Sequence, residues 1–169
     1  GVVAIYLAPD AKLGAIVELL NLRAGGVKLS QEEIAARIGT RSGANAGPQK
    51  SPQGVVVLNI FGTLMQHGGM IENASGGVSC DAIGAAFDSA MSDPNVGTIV
   101  LNIDSPGGQV SGTPELAAKI YAARGVKRCI AVANSLAASA LYWIGSAAET
   151  FYASPSASVG SIGVLFVHT

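Results

Sequence analysis

Charge is scarce in this sequence: Asp, Glu, Lys and Arg make up 12% of 169 residues, against 49% hydrophobic residues and a mean hydropathy of +0.44. That scarcity excludes a disordered or highly charged solvated chain. No sign of charge dominates either. Ten Lys and Arg stand against eleven Asp and Glu, so the formal net charge is −1 and no cation surplus exists to neutralise phosphates. Nucleic acid is therefore not an expected partner. Cysteine is limited to Cys80 and Cys129, too few for a disulfide framework and without zinc-ligand spacing. Both are expected as buried, reduced thiols, and no metal or cofactor is expected. The only histidines, His67 and His168, read as surface or packing residues, which leaves no support for a Ser/His/Asp triad. A long unbroken hydrophobic run is missing too. The uncharged stretch from Cys129 to Ala148 is interrupted by Asn134, Ser135, Ser139, Gly145 and Ser146, and reads as a buried strand and helix rather than a membrane span. The N-terminal apolar run Val2 to Ala8 has no basic residue before it, so neither a signal peptide nor a membrane anchor is expected.

What is present organises into one domain with an extension. Asp10 can cap a helix from about Ala11 to Ala24, and Ser30 with Glu33 has the spacing of a capping box for a short second helix ending near Gly39. Residues 1–39 thus form a helical N-terminal extension. Thr40 to Gln53 (TRSGANAGPQKSPQ) has the Gly, Ser and Pro content of a flexible linker. The compact domain, 54–169, then alternates strands and helices. Strands are expected at Val55 to Phe61, Thr98 to Ile103, Arg128 to Ala133, Thr150 to Ala153 and Ile162 to Val167. Helices are expected at Ser79 to Met91, Thr113 to Arg124 and Leu136 to Ala148. Continuous runs such as Ile99-Val100-Leu101 suit strands covered on both faces. The class is α/β with repeated βαβ units and right-handed crossovers.

Three small-residue segments follow strand ends, where open α/β sheets carry their sites. In Asp104-Ser105-Pro106-Gly107-Gly108, paired glycines let backbone N–H groups face a cleft as an oxyanion hole requires, although Pro-Gly is also an ordinary turn dipeptide. In Asn134 to Ser139, Ser139 falls in a helix of small residues. Its hydroxyl is either a packing group or a nucleophile aided by the helix N-terminus; the surrounding residues are not a G-x-S-x-G elbow. The third segment is Ser158-Val159-Gly160-Ser161-Ile162-Gly163. Asp81, Asp88 and Asp104 read as surface or loop acids.

Taken in order, Ser-Pro-Gly-Gly, Ala-Ala-Ser on a helix and Gly-Ser-Ile-Gly-Val resemble the signal peptide peptidase A family of serine proteases, over roughly Gly54 to Val167. Ala138-Ser139-Ala140-Leu141-Tyr142-Trp143 looks closest to the tailed-phage branch of capsid-assembly, or prohead, proteases. The resemblance implies a Clp-protease/crotonase-like fold and a Ser-Lys dyad. It makes Ser139 the nucleophile, puts Gly107 and Gly108 at the oxyanion hole and has Ser161 support the lysine. Gln109 and Val110 would pair with an extended peptide substrate.

In that family the dyad lysine follows the Gly-Ser-Ile-Gly motif by several tens of residues, so it is expected downstream of Thr169. Lys119 and Lys127 read as solvated surface lysines, and His168 is a weak substitute base. Residues 1–169 alone are therefore expected to have little peptidase activity. The implied function is a soluble serine endopeptidase that cuts scaffold or capsid proteins in the prohead, in the cytoplasm of an infected bacterium. The apolar composition suggests a homo-oligomer. Alternatives are a non-catalytic capsid-assembly or scaffolding module, a cellular signal peptide peptidase, and a crotonase-type acyl-CoA enzyme; the last lacks a recognisable pair of catalytic glutamates.

Overall fold

The computed structural model describes residues 30, 33, 48–51, 54–68 and 77–165. Its elements are β1 (Gln49–Lys50), β2 (Val55–Phe61), β3 (Leu64–Met65), β4 (Val78–Ser79), α1 (Cys80–Ser92), β5 (Thr98–Ser105), α2 (Thr113–Ala122), β6 (Arg128–Ala138), α3 (Ala140–Ser146), β7 (Thr150–Ala153) and β8 (Ser158–Gly160). The helices expected at 11–24 and up to Gly39 lie outside the described residues, apart from the capping box. There the Glu33 N–H donates to Ser30 Oγ at 3.2 Å and the Ser30 N–H to Glu33 Oε2 at 2.8 Å.

The main sheet runs β1-β2-β5-β6-β7, and β8 also pairs with β6. β2, β5, β6 and β7 are mutually parallel, while β1 is antiparallel to β2. Gln49–Lys50 thus belongs to the sheet edge, inside the stretch read as linker; a turn at Gly54, whose φ is +72°, folds it back. From β2 to β7 each new strand is added on the same side of its predecessor. Right-handed crossovers then place every intervening helix on one face. Burial agrees: Ile60, Ile99, Leu101, Ile103, Ala131 and Ala133 are 0% exposed beneath the helices. The alternate residues Val57, Asn59, Val100, Asn102, Ile130 and Val132, on the opposite face, are only half-buried.

Two expected boundaries are corrected. β6 runs to Ala138 and α3 begins at Ala140, rather than a helix beginning at Leu136, because Leu136–Ala138 pairs with β8 and Ala137 with Ser105. Residues 162–165 are exposed and outside any strand; the last described strand is Ser158–Gly160, fixed by pairing with β6 rather than by apolar content. Residues 166–169, with His168, lie outside the described residues.

Cys80 and Cys129 are free and buried. Burial pushes the Cys129 thiol up to about 11 and raises that of Cys80. Since the thiolate is the nucleophile, alkylation at pH 8 is expected to be at least about 100-fold slower in the native protein than in urea. Mass spectrometry of iodoacetamide-treated samples measures this, and rapid native modification of Cys129 would contradict its burial.

Candidate active site

The site begins at the end of β5. Ser105 is 0% exposed, so its hydroxyl must find partners within the protein. It donates to the Gly62 carbonyl at 2.6 Å and accepts the Gly107 N–H at 3.1 Å. This bridge clamps the Pro-Gly-Gly turn to the loop after β2. Leu64 completes the clamp: its N–H donates to the Gly107 carbonyl at 2.8 Å and its carbonyl accepts the Gln109 N–H at 2.9 Å. The Gln109 side-chain oxygen accepts the Gln66 N–H at 3.0 Å, and Thr113 Oγ1 donates to the Gln109 carbonyl at 2.9 Å. Ser105→Ala strands the buried Gly107 N–H and is expected to cost about 1–3 kcal/mol in urea unfolding. A change within error would mean that the turn holds without the bridge.

Both turn glycines are required sterically. Gly107 has φ +98°, and a Cβ there would lie 2.6 Å from Ser139 Cβ and 2.8 Å from the Ala138 carbonyl oxygen. A Cβ on Gly108 would lie 1.9 Å from the Leu64 carbonyl oxygen. The turn is therefore wedged between β3 and Ser139. Of the two backbone donors, the Gly107 N–H is taken by Ser105, while that of Gly108 has no partner among the described residues.

Ser139 stands at the one-residue junction between β6 and α3, with φ +54° and ψ −121°. For a residue with a side chain this backbone is strained, at a cost of about 1–3 kcal/mol. The strain is held by neighbours: the Ser139 N–H donates to the Gly160 carbonyl at 2.8 Å and its carbonyl accepts the Trp143 N–H at 3.1 Å. The hydroxyl makes no capping bond and no other hydrogen bond among the described residues, and the side chain is half-buried. Local sequence lacks the elbow motif, yet the strand-to-helix turn has the sharp geometry that such elbows use to present a serine.

The same pairing draws in the Gly160-Ser161 segment, since Gly160 lies opposite Ala138. Ser161 also has φ +54° and is exposed. Gly107, Gly108, Ser139, Gly160 and Ser161 thus gather where β5, β6 and β8 end. Val110, 46% exposed, follows the same turn; the Gln109 N–H and both the Gln109 and Val110 carbonyls are engaged within the chain. Sequence reasoning missed Ser105, Leu64 and Thr113 as the parts that lock this turn. The visible hint was a serine directly before Pro-Gly-Gly.

The other candidates lie apart. Lys119 pairs with Asp88 at 2.5 Å and Lys50 with Asp93 at 2.5 Å, while Lys127 donates to the Ala90 and Asp93 carbonyls. His67 pairs with Asp81 at 2.5 Å on the surface. Asp104 accepts from the Ser135 hydroxyl. Among the described residues no cluster of His, Cys, Asp or Glu is placed to hold a metal ion, and no helix is long and apolar enough to cross a membrane.

Comparison with known proteins follows the same ground. The model of peptidase family S49 matches residues 122–169. Capsid assembly protease C of Escherichia phage lambda is 34% identical over 97% of this chain and 38% of that protein. The head-tail preconnector protein of Enterobacteria phage P21 is 37% identical over 68% of this chain and 23% of that protein. The chain therefore spans well under half the length of these relatives. A solved Pseudomonas aeruginosa protein superimposes with a TM-score of 0.50 at 15% identity, covering 71% of this chain and 57% of that one. With its one-way parallel sheet, the chain has a Clp/crotonase-like α/β fold.

Proposed function

Since this chain belongs to peptidase family S49, we propose that it supplies the nucleophile-bearing part of a serine endopeptidase that cuts scaffold or capsid proteins during phage head maturation. The single observation that carries the assignment of Ser139 is its conformation: a strained serine, wedged against Gly107, whose hydroxyl serves no structural bond among the described residues.

In this reading Ser139 Oγ attacks the scissile carbonyl and the developing oxyanion is met by the Gly108 N–H. The N–H of Ala140, the first helical residue, has no carbonyl to bond within α3 and adds a second donor. Gly107 contributes mainly by lacking a side chain, because its own N–H is committed to Ser105. An extended substrate lies along the segment after Gly108, contacting the exposed side chains of Gln109 and Val110. The general base is a lysine contributed from sequence beyond Thr169, with Ser161 helping to hold it. Engagement of each described lysine at its own carboxylate or carbonyl supports that origin. Desolvation lowers such a lysine's pKa, so the neutral amine takes the serine proton and returns it to the leaving amine. Residues 1–169 alone are accordingly expected to have little activity. The setting proposed is the prohead in the host cytoplasm, with the enzyme acting as a homo-oligomer.

A fluorophosphonate probe tests the assignment in the full-length protein. Peptide mapping is expected to find the phosphonyl group on Ser139, and unlabelled but folded protein, or a label on another serine, would overturn it.

A further inference from the structure

The one-way winding leaves a physical problem. Parallel sheets are stable when both faces are covered, yet β2, β5, β6 and β7 bury only the face beneath α1, α2 and α3. On the other face Val57, Val100 and Ile130 stand side by side in register, with Val132 and the exposed Tyr152 beyond them. The polar members Asn59 and Asn102 bond each other at 2.9 Å, satisfying part of their hydrogen-bonding capacity without water. No described element packs on this face.

We infer that the N-terminal segment of this same chain, residues 11–24, docks on the open sheet face through Leu13, Ile16, Val17 and Leu20. These residues recur at i, i+3, i+4 and i+7, which makes one apolar stripe on a helix, with Glu18 on the opposite side and Lys12 and Arg23 at its border. The chain's path supplies the proximity. Residues 1–47 precede β1, which pairs with β2 at the edge of this sheet, and the residues between Ala24 and Gln49 tether the segment to the strand that pairs with Val57. Tethering gives it an effective concentration of about millimolar, which a free partner must exceed. The inference is independent of the peptidase reading, because it rests on the winding of the sheet and not on Ser139.

Thiol accessibility at Val100→Cys, in the centre of the face, tests this in the full chain. Maleimide labelling there is expected to be at least about tenfold slower than at Val126→Cys, a surface turn position, and independent of protein concentration. Ile16→Asp with Leu20→Asp should restore fast labelling, with circular dichroism confirming that the sheet domain stays folded. Labelling at the surface rate without those changes would mean an open face. Equal protection with and without them would mean a different cover, and protection that grows with concentration would mean a second copy; each of these overturns the proposal. Should the aspartate variant fail to fold, a short bismaleimide applied to Ile16→Cys combined with Val100→Cys must join the two thiols within one chain, and its failure to do so would likewise overturn it.

Discussion

Ser139→Gly is expected to process no substrate and yet to be more stable than Ser139→Ala. Both substitutions remove the hydroxyl, and loss of a catalytic nucleophile lowers turnover by about 10⁴-fold or more. They differ in the backbone. At φ +54° alanine keeps the strain of the native serine, whereas glycine occupies such a conformation freely. The glycine protein should therefore be the more stable by about 1–2 kcal/mol, or a few degrees in Tm. Calorimetry of the two variants, beside cleavage assays of the full-length protein, separates the claims. Retained processing by either variant would place the nucleophile elsewhere, and equal stability would show that no strain is stored at the junction. The hydroxyl's lack of a capping bond makes the comparison clean, because no hydrogen bond to a described residue is lost with it.

Gly108→Ala is expected to be the most damaging single methyl group in the described domain. Its Cβ would sit 1.9 Å from the Leu64 carbonyl oxygen and 2.7 Å from the Leu64 nitrogen, and these backbone atoms are held by the bridge to the turn. Relief requires moving β3 or the turn, so the cost is about 3 kcal/mol or more. Gly163→Ala is the control: nothing lies within 4 Å of its Cβ position, and its effect should stay within about 0.5 kcal/mol. Urea unfolding of both proteins decides the matter; similar midpoints would mean that the turn is not wedged.

Much of this architecture is legible in the sequence because burial and pattern agree. Val55 to Phe61 is a strand with the expected bounds, since a short β-branched, apolar run broken only by Asn59 and closed by Gly62 admits little else. Thr113 and Pro114 mark the start of α2 as the N-terminal preference of proline implies. The readings differ from the structure where residues are small. Leu136 to Ala138 carries no periodicity to separate strand from helix, and the decision comes from β5 and β8, which the local sequence does not contain. Ile162 to Val167 reads as a strand on apolarity alone, yet Leu165 is 99% exposed. At the candidate site the residue types were visible as Gly107, Gly108, Ser139 and Ser161. Their conformations were not, because a positive φ at serine arises from the pairing of Ser139 with Gly160 and from the pressure of Gly107 behind it. Ser105 went unseen as a clamp because its partners, Gly62 and Gly107, meet only after β2 and β5 have paired.

The wedge of the Gly107-Gly108 turn between Leu64 and Ser139 also sets when this site can come into being. Its parts come from the loop after β2, the end of β5, the β6–α3 junction and the end of β8, and the Ser105 to Gly62 bond alone closes 43 residues. Long closures are slow and late in folding. During synthesis the serine emerges well before the Gly160 carbonyl that its N–H must reach, so the nascent chain carries the hydroxyl without its presentation. On the proposed reading the serine is not presented until almost the whole sheet has closed, a delay that follows from chain order.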